Sequence, residues 1–480
     1  MFIRGEDMRI THGLVTILTL TSTVWLAGVS TDALAKETSF TVSANKRNIV
    51  FRDRPTDAFV LVSDTAWNLV QELSREQIKE YLDIRAAQGF TMVQFIATGH
   101  DFRPQRHYGW TPFDGKDFSK PKVVSGPDND WWDYIEWIID ELEKRHMYAG
   151  LLPMWRQDFH DGRIAGETAC EAYGRFLGER FRDRNDRIIW FMGGDLPTGA
   201  FPLSWHRAVA RGIAKGVSNG VEDYDAILAS CHVAGRGNTL AFPANEPFMD
   251  FNTIQSGHWN TKPYELQSEG MIEESLAAQD KPCLDFEPMY ESIRDYATPA
   301  VVRHIIWWGV FEGGFGISYG HGGVWHFGTY NRQGVGWVWD HPDDYKSTVA
   351  EQMGVLKRLL ASRPGASRTA DRDPLDPSTR FDHHNRIYCL HDDERTYLMV
   401  YTPNGANVKV RMDRLRGSRY RGYWYNPRTG DVTDLGVSDN TGVVTMFDPP
   451  GDIGDNYTDT DWVLVLDDAA RDYPQPGGIK

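Results

Sequence analysis

Short apolar runs alternate with helical patterns through the first three quarters of the chain. The runs have the length and residue types of buried strands, and they cover residues 59–62, 90–97, 147–152, 188–191, 226–229, 251–255, 282–286 and 314–318. Helical patterns follow most of them, at residues 74–89, 131–145, 167–181, 264–278, 299–311 and 344–360. Alternation of this kind indicates parallel βα units, and the number of units favours a (β/α)8 TIM barrel over residues 36–365.

A doubly wound parallel sheet is the alternative fold. A dinucleotide-binding sheet of that type carries a G-x-G-x-x-G turn directly after its first strand. Here the run at 59–62 leads into Ser63-Asp64-Thr65, and the next helix begins with the capping-box spacing of Ser74 and Gln77. The barrel is therefore the favoured prediction.

The pattern changes after Arg363-Pro364. Short strands separated by turn residues are predicted at 386–390, 396–401, 408–412, 422–426, 443–447 and 462–466. Closely spaced strands without helices indicate a small antiparallel β-sandwich domain, here over residues 366–468. The end of the chain, residues 469–480, is rich in Pro and Gly and is predicted to be a flexible tail.

The amino terminus has the features of an export signal. Arg4 and Arg9 precede an apolar segment at 14–29, and Ala33-Leu34-Ala35 has the small-residue spacing of a cleavage site. An uncleaved anchor would need about 20 apolar residues, and this segment is shorter and contains Thr and Ser. We expect a signal peptide over residues 1–35, cleavage after Ala35, no membrane span afterwards, and a secreted or periplasmic protein.

Charge and cysteine content exclude several classes of protein. The 480 residues include 51 Lys and Arg against 67 Asp and Glu, a formal charge of −16 that disfavours a nucleic-acid partner. The 4 cysteines have no close paired spacing, which excludes a zinc ribbon or a disulfide scaffold. Many of the 17 tryptophans lie in Gly-, His- and Asp-rich segments, as is typical of a surface that binds sugars.

Carboxylates follow several of the predicted strands, where the reactive groups of a barrel lie. Hydrolysis of a glycoside needs two carboxyl groups on either side of one bond. Asp195, after Gly193-Gly194, and Glu287, before Pro288, are the candidate catalytic pair. Taken singly, each has a structural alternative as a helix cap or a salt-bridge partner. Rival acids at the same end of the barrel are Asp64, Asp158, Asp285 and Glu291.

Other chemistries have weaker support. His100, His232, His258 and His326 lie on separate loops without metal-ligand spacing, so hydrogen bonding to sugar hydroxyls is the better interpretation. No G-x-S-x-G elbow follows a strand, and the Gly-rich segment at 313–316 lacks the lysine of a phosphate-binding loop. We predict no metal and no cofactor.

Several segments, in this order, resemble the signature blocks of the apiosidase-like glycoside hydrolases. The blocks are residues 63–67, 85–90 with Gln94, 190–195, 256–258, 287–291 and 318–320 with Trp325. The resemblance covers about residues 45–468 and implies a (β/α)8 barrel followed by a β domain that resembles a collagen-binding module of collagenases. It implies that Asp195 is the acid/base and Glu287 the nucleophile. Phe286, where Gly is common, and the segment at 315–319 depart from the family pattern, and both are expected to alter the pocket wall.

The same reasoning predicts the rest of the site. Asp64, Gln94, His258 and Tyr290 are expected to hold sugar hydroxyls, Trp67, Trp155 and Trp325 to wall the site, and His100 and Asp158 to contact substrate. The resemblance implies a furanosidic substrate, an apiose-like sugar or an arabinofuranose at the end of a plant or microbial polysaccharide, cleaved with retention. A pyranoside hydrolase on the same scaffold remains an alternative.

The alternative of a different class is a non-catalytic surface protein that binds glycans or collagen. Tyr423, Trp424 and Tyr425 would be candidates for such contacts if they were exposed, although alternation along a strand places some of them in the core. The oligomeric state stays open.

Overall fold

The computed structural model describes residues 37–101, 103–115, 117–156, 158, 166–196, 203–258, 270–328, 342–379, 381, 386–455 and 458–478. The predicted signal peptide, residues 1–35, lies outside these residues. Among the helices of the described residues, none has both the length and the apolar character that a bilayer span requires.

The described residues of the amino-terminal part form twelve strands. They are β1 Phe40–Val42, β2 Ile49–Phe51, β3 Arg54–Ala58, β4 Leu61–Thr65, β5 Met92–Ile96, β6 Tyr148–Leu152, β7 Ile188–Leu196, β8 Ala229–Val233, β9 Gly237–Asn238, β10 Asn252–Gln255, β11 Cys283–Asp285 and β12 Gly316–Tyr319. The described α-helices are α1 Leu69–Glu72, α2 Arg75–Ala87, α3 Trp131–Glu143, α4 Glu167–Arg180, α5 Leu203–Val217, α6 Met271–Ala278, α7 Pro299–Phe311 and α8 Thr348–Ala361.

Eight parallel strands form the barrel, which confirms the predicted (β/α)8 fold. Six of them pair side by side in the order β12-β4-β5-β6-β7-β8, and β10 pairs with β11. Hydrogen bonds outside the regular ladders connect the two groups. Ser230 Oγ of β8 donates to the carbonyl of Phe251, just before β10, at 2.7 Å, and the Phe315 N–H, just before β12, donates to the carbonyl of Cys283 in β11 at 3.1 Å. The barrel strands are buried on both faces where their exposure is described, which explains their continuous apolar runs.

The helix boundaries follow local signals. The capping box predicted for α2 is present, since Ser74 Oγ accepts from the Gln77 N–H while Gln77 Oε1 accepts from the Ser74 N–H. The predicted helix at 344–360 is divided: Pro342–Lys346 forms a 3-10 turn, and α8 begins at Thr348. The predicted strand at 59–62 starts later, at Leu61, because Phe59 packs with Phe40 and Tyr148 below the barrel.

The carboxy-terminal part is an antiparallel β domain, as predicted. Its strands are β13 Thr369–Asp371, β14 Cys389–His391, β15 Tyr397–Thr402, β16 Val408–Arg411, β17 Arg419–Tyr425, β18 Val432–Asp439, β19 Val444–Phe447 and β20 Trp462–Asp468. A six-stranded sheet of order β13-β14-β15-β20-β17-β18 packs against the pair β16-β19. On β17, Trp424 enters the core between these layers, whereas Tyr423 and Tyr425 pack into the barrel core. All three are buried, so they offer no sugar-binding surface.

A buried charge cluster joins the β domain to the barrel. The Arg303 guanidinium of α7 donates to both carboxylate oxygens of Asp461 at 2.9 Å, and the two side chains are 1% and 0% exposed. Tyr401 donates to the same carboxylate at 3.1 Å. Burial alone would raise the pKa of Asp461, but the His304 imidazole, 3.8 Å away, and the charge of Arg303 hold it well below its usual value. The two parts therefore share one continuous interior.

The end of the chain also packs on this body. Residues Ala469–Arg471 form a 3-10 turn, and the Tyr473 hydroxyl lies 2.7 Å from Thr396 Oγ1. The Arg363 guanidinium lies 5.1 Å from the centre of the Tyr473 ring. A Pro/Gly-rich composition does not exclude such contacts, and the flexibility of the tail stays a prediction.

We expect Asp461→Asn to destabilise the whole molecule, because it removes the buried charge partner of Arg303 and leaves only the exposed carboxylate of Asp459. The free energy of unfolding should fall by about 3–5 kcal/mol in urea titrations. The matched control is Asp434→Asn, which breaks an ion pair with Arg421 whose side chains are 40% and 48% exposed. That loss should stay below about 1 kcal/mol. Equal effects of the two substitutions would contradict a shared interior.

Candidate active site

A distorted strand end carries Asp195 into the barrel mouth. Gly193, Gly194 and Asp195 have positive φ angles of 82°, 147° and 53°, and the register between β7 and β8 shifts between Gly193 and Leu196. A Cβ atom at Gly194 would lie 2.5 Å from Cε3 of Trp155 and 2.9 Å from the Met154 carbonyl oxygen. Only glycine permits this close approach, and the left-handed backbone at Asp195 is a strain of the kind found at functional sites.

Asp195 and Glu287 meet at this end of the barrel. A carboxylate oxygen of each and a ring nitrogen of His232 all lie within 4.8 Å of one another. Glu287 follows β11 and is 4% exposed, and Asp195 is half-buried. The structure therefore brings together the two carboxyl groups that the sequence singled out.

His232, on β8, hydrogen bonds to both members of the pair. The backbone N–H of Asp195 donates to His232 Nδ1 at 2.9 Å, and His232 Nε2 lies 2.9 Å from Glu287 Oε2. Because Nδ1 accepts, the neutral ring carries its proton on Nε2 and donates it to Glu287. One imidazole thus fixes the bulged strand end and orients the opposite carboxylate.

Two further side chains surround Glu287. The Tyr290 hydroxyl donates to Glu287 Oε1 at 2.5 Å, and His258 Nδ1 lies 4.0 Å from the same oxygen. Burial opposes ionisation, but the His232 hydrogen bond, the neighbouring imidazoles and Tyr290 together lower the pKa of Glu287. This carboxylate is therefore held in its charged form.

The pKa of Asp195 shifts in the opposite direction to that of Glu287. Burial raises its pKa, and the negative charge of Glu287 raises it further, against smaller opposing contributions from His232, Arg156 and a hydrogen bond with Gln255. Two carboxyl groups whose environments move their pKa values apart are suited to different roles. Asp195 can hold a proton while Glu287 stays ionised.

Aromatic rings line the region around the pair. Trp67 donates from Nε1 to the Tyr290 hydroxyl at 3.1 Å, and its ring centre lies 5.0 Å from that of Trp155. His100 lies 5.6 Å from Trp155 and 5.8 Å from Trp325 between ring centres. Trp67 and Trp155 are buried and His100 and Trp325 half-buried, so the first two support the carboxylates and the other two are accessible. Burial lowers the pKa of His100 to about 4, which keeps it neutral.

Asp64 does not lie in the site, contrary to expectation. Its side chain is fully buried on the outer face of β4, where Arg85 Nε donates to it at 2.6 Å and Tyr81 donates at 2.5 Å. Its neighbours in the strand, Ser63 and Thr65, face inward and contact Gln94. Because side chains alternate along a strand, Asp64 faces away from the barrel interior when Ser63 and Thr65 face into it.

Gln94 and Asp158 are buried supports rather than exposed sugar contacts. Gln94 Nε2 donates to Thr65 Oγ1 at 2.7 Å and to the Phe286 carbonyl at 3.1 Å, which anchors the backbone just before Glu287. Asp158 accepts from the Trp155 N–H at 2.7 Å and from Thr98 Oγ1 at 3.0 Å. Both predicted roles are therefore corrected, and so is the predicted sugar contact of Tyr290, because exposures of 0%, 1% and 1% leave no surface for a ligand.

The rival acids have structural partners. Asp285 accepts from Ser256 Oγ at 2.6 Å, and burial raises its pKa to about 7. Glu291 accepts from the Tyr319 hydroxyl at 2.7 Å. Phe286 does not form a pocket wall either, since its ring stacks on Phe191 inside the barrel at 4.0 Å.

Within the described residues, the spacing of metal ligands is found at Asp195, His232 and Glu287. The hydrogen bond from the Asp195 N–H makes His232 Nδ1 an acceptor, so the nitrogen that faces Glu287 carries a proton. A protonated nitrogen cannot coordinate a metal. The residues thus fit a hydrogen-bonded catalytic pair better than a metal centre.

Comparison with known proteins identifies the family. A family model described as "Apiosidase-like, catalytic domain" matches residues 43–367, well over half of the chain. The chain belongs to this family. A second model, described as "Putative collagen-binding domain of a collagenase", matches residues 378–467 of this apiosidase-like protein. No curated protein matched its sequence.

Solved structures agree with the family assignment. One is a glycoside hydrolase family 5 protein from Bacteroides vulgatus ATCC 8482, with a TM-score of 0.79 and 26% identity over 91% of this chain and 95% of that one. Another, described as a glycoside hydrolase, has a TM-score of 0.78 and 26% identity over 91% and 98% of the two chains. The apiosidase-like protein is therefore a glycoside hydrolase, an enzyme whose substrate is a carbohydrate.

We expect Gly194→Ala to reduce the rate of hydrolysis by about 100-fold. A methyl group there displaces the Trp155 ring or the bulge, and a shift of about 1 Å at Asp195 is enough for a loss of this size. The assay is turnover of any glycoside that the wild type cleaves, with circular dichroism to verify folding. Gly436→Ala is the matched control, since Gly436 also has a positive φ, 79°, but faces open space. Wild-type turnover in Gly194→Ala would refute the importance of the bulge.

Proposed function

We propose that the enzyme is a retaining hydrolase that removes a terminal furanosidic sugar, apiose-like or arabinofuranose, from a polysaccharide. The observation that carries retention is the approach of Asp195 and Glu287 oxygens to within 4.8 Å. Retaining glycosidases hold their two carboxyl groups about 5–5.5 Å apart, whereas inverting enzymes leave roughly 6.5–9.5 Å for a water molecule. The short separation favours direct attack by a carboxylate.

The geometry supports a two-step mechanism. Asp195, protonated, donates its proton to the glycosidic oxygen while a Glu287 oxygen attacks the anomeric carbon, so the bond to the leaving group breaks as the ester to Glu287 forms. Asp195, now ionised, removes a proton from water, and the resulting hydroxide attacks the same carbon and releases Glu287. Two inversions at one carbon give net retention.

The neighbours of the pair have separate tasks in this mechanism. His232 and Tyr290 donate hydrogen bonds to the two oxygens of Glu287, which keep it ionised and aimed. The proposed contacts with the sugar come from three half-buried side chains, those of His100, His258 and Trp325. Gln94 and Asp158 act indirectly, through the backbone near Glu287 and the loop that carries Trp155.

Residues 1–35 are proposed to direct export, which would place the enzyme where polysaccharides occur. The furanosidic preference rests on the family, so a panel of apiosides, arabinofuranosides and pyranosides tests it. Release of a pyranose alone would favour the alternative substrate class on the same scaffold. Binding without any cleavage would favour a non-catalytic glycan-binding protein.

We expect Glu287→Gln to lower turnover by at least about 1,000-fold, because an amide cannot form the glycosyl ester. The control is Glu274→Gln, the same change on an exposed residue of α6. Proton NMR of the wild-type reaction should show that the sugar is first released with the anomeric configuration it had in the substrate. Initial release of the opposite anomer would contradict retention, and undiminished turnover of Glu287→Gln would remove Glu287 from the mechanism.

The pH dependence follows from the two pKa directions. Activity should rise with pH as Glu287 ionises, through a pKa that is lowered, and should fall as Asp195 loses its proton, through a pKa that is raised. His232→Asn removes a hydrogen bond to ionised Glu287, so the acidic limb of the kcat/KM profile should move to higher pH. His107→Asn, on an exposed surface, should leave the limb in place. A lower kcat with an unmoved acidic limb would contradict this role of His232.

A further inference from the structure

A cavity of about 850 Å³ lies at the end of the barrel opposite to the carboxylates. Its walls include residues at or just before the amino ends of four neighbouring strands: Val60 before β4, Thr91 before β5, Tyr148 at the start of β6 and Arg187 before β7. Asp195 and Glu287 lie at the carboxyl ends. The cavity is therefore separate from the hydrolytic site.

Cationic side chains outnumber anionic ones in this cavity. Arg52, Arg54, Arg187 and Lys357 line it together with Glu37 and Asp53. This is a local excess of positive charge in a chain whose formal charge is −16. Cations that line a concave site favour the binding of an anion there.

Lys357 differs from the three arginines. Arg187 lies 3.1 Å from Glu143, and Arg52 and Arg54 lie 3.6–3.9 Å from acids at the rim. No hydrogen bond or ion pair to the Lys357 ammonium occurs within the described parts of the chain. Its stem passes near Gly89, where an added Cβ would lie 3.7 Å from Lys357 Cδ, and burial lowers the pKa of its ammonium. A half-buried cation without a counter-charge is a position that a bound anion would stabilise.

Aromatic rings complement the charges. Phe51, Phe59 and Tyr148 line the same cavity, and the Arg54 and Arg187 guanidinium groups lie 4.4 Å and 5.5 Å from the ring centres of Phe51 and Tyr148. Phe59 and Tyr148 are buried, so the half-buried Phe51 is the ring on which the C–H groups of a pyranose would pack. A uronate adds a carboxylate that pairs with an ammonium. A cavity of this size holds two or three sugar units.

We infer that this cavity is a second, non-catalytic carbohydrate site that binds an acidic oligosaccharide through uronate carboxylates. Such a site would hold an acidic polymer on the enzyme while its branches reach the catalytic pair. The inference depends on the enzyme acting on carbohydrate and not on the furanosidic preference or on retention.

Titration calorimetry with a trimer of galacturonic acid tests the site, with Glu287→Gln as the background so that no ligand is consumed. The trimer should bind, and Lys357→Met, which keeps the stem near Gly89 but removes the charge, should weaken binding about fivefold or more. Lys357→Arg should restore it, and Arg54→Met should weaken it independently. The matched control is Lys144→Met, on an exposed lysine after α3.

Several results would overturn the inference. Equal binding of a neutral glucose trimer would show that the cations are unused. Unchanged affinity in both Lys357→Met and Arg54→Met would place the ligand elsewhere, including the catalytic cleft. Inorganic phosphate that binds as tightly as the trimer, and displaces it, would identify a site for small anions rather than for a saccharide. Turnover of a small neutral glycoside by Lys357→Met in the otherwise wild-type chain should equal that of the wild type, whatever the substrate class.

Discussion

The bridge that His232 makes between the Asp195 backbone and the Glu287 side chain is the interaction on which the site depends. It ties β7, β8 and the segment after β11 together at their ends, so a hydrogen-bonded ring fixes the Glu287 carboxylate relative to the main chain of Asp195. A carboxylate that is buried beside another acid would tend to take up a proton. The imidazole N–H and the Tyr290 hydroxyl prevent this at Glu287 and leave the raised pKa to Asp195.

The barrel itself depends on less specific forces. Its strands are buried on both faces, and apolar side chains fill both the interior and the space beneath the helices. The β domain extends that interior, because Tyr423 and Tyr425 and the Arg303–Asp461 cluster belong to the barrel side of its sheet. This packing makes the carboxy-terminal domain a structural partner of the catalytic one, whatever else its surface binds.

Periodicity was sufficient to predict the barrel and the β domain, because buried strands give short apolar runs and amphipathic helices repeat apolar residues every three or four positions. It was also sufficient to find Asp195 and Glu287, since both lie where strands end. It was misleading for Asp64, whose position at a strand end is right but whose side chain faces the helices and pairs with Arg85. Knowing which face each residue takes requires the register of the sheet, which residues 59–65 alone do not determine.

His232 shows a second limit of sequence reasoning. It is one of four histidines near predicted strand ends, and its role depends on which of its ring nitrogens accepts a hydrogen bond. That in turn depends on a bulge that brings the Asp195 N–H toward the ring. Two glycines before an acid were the visible signal of that bulge, and a histidine on the next strand was its natural partner.

The bulge also explains why a short acid suffices here. Aspartate has one rotatable bond fewer than glutamate, so less conformational entropy is lost when its carboxyl group is held in place. The main chain does part of this placing, because the hydrogen bond to His232 fixes the Asp195 N–H at the bulge. A glutamate at position 195 would carry its carboxyl group one methylene farther from the same backbone and would change its distance from Glu287.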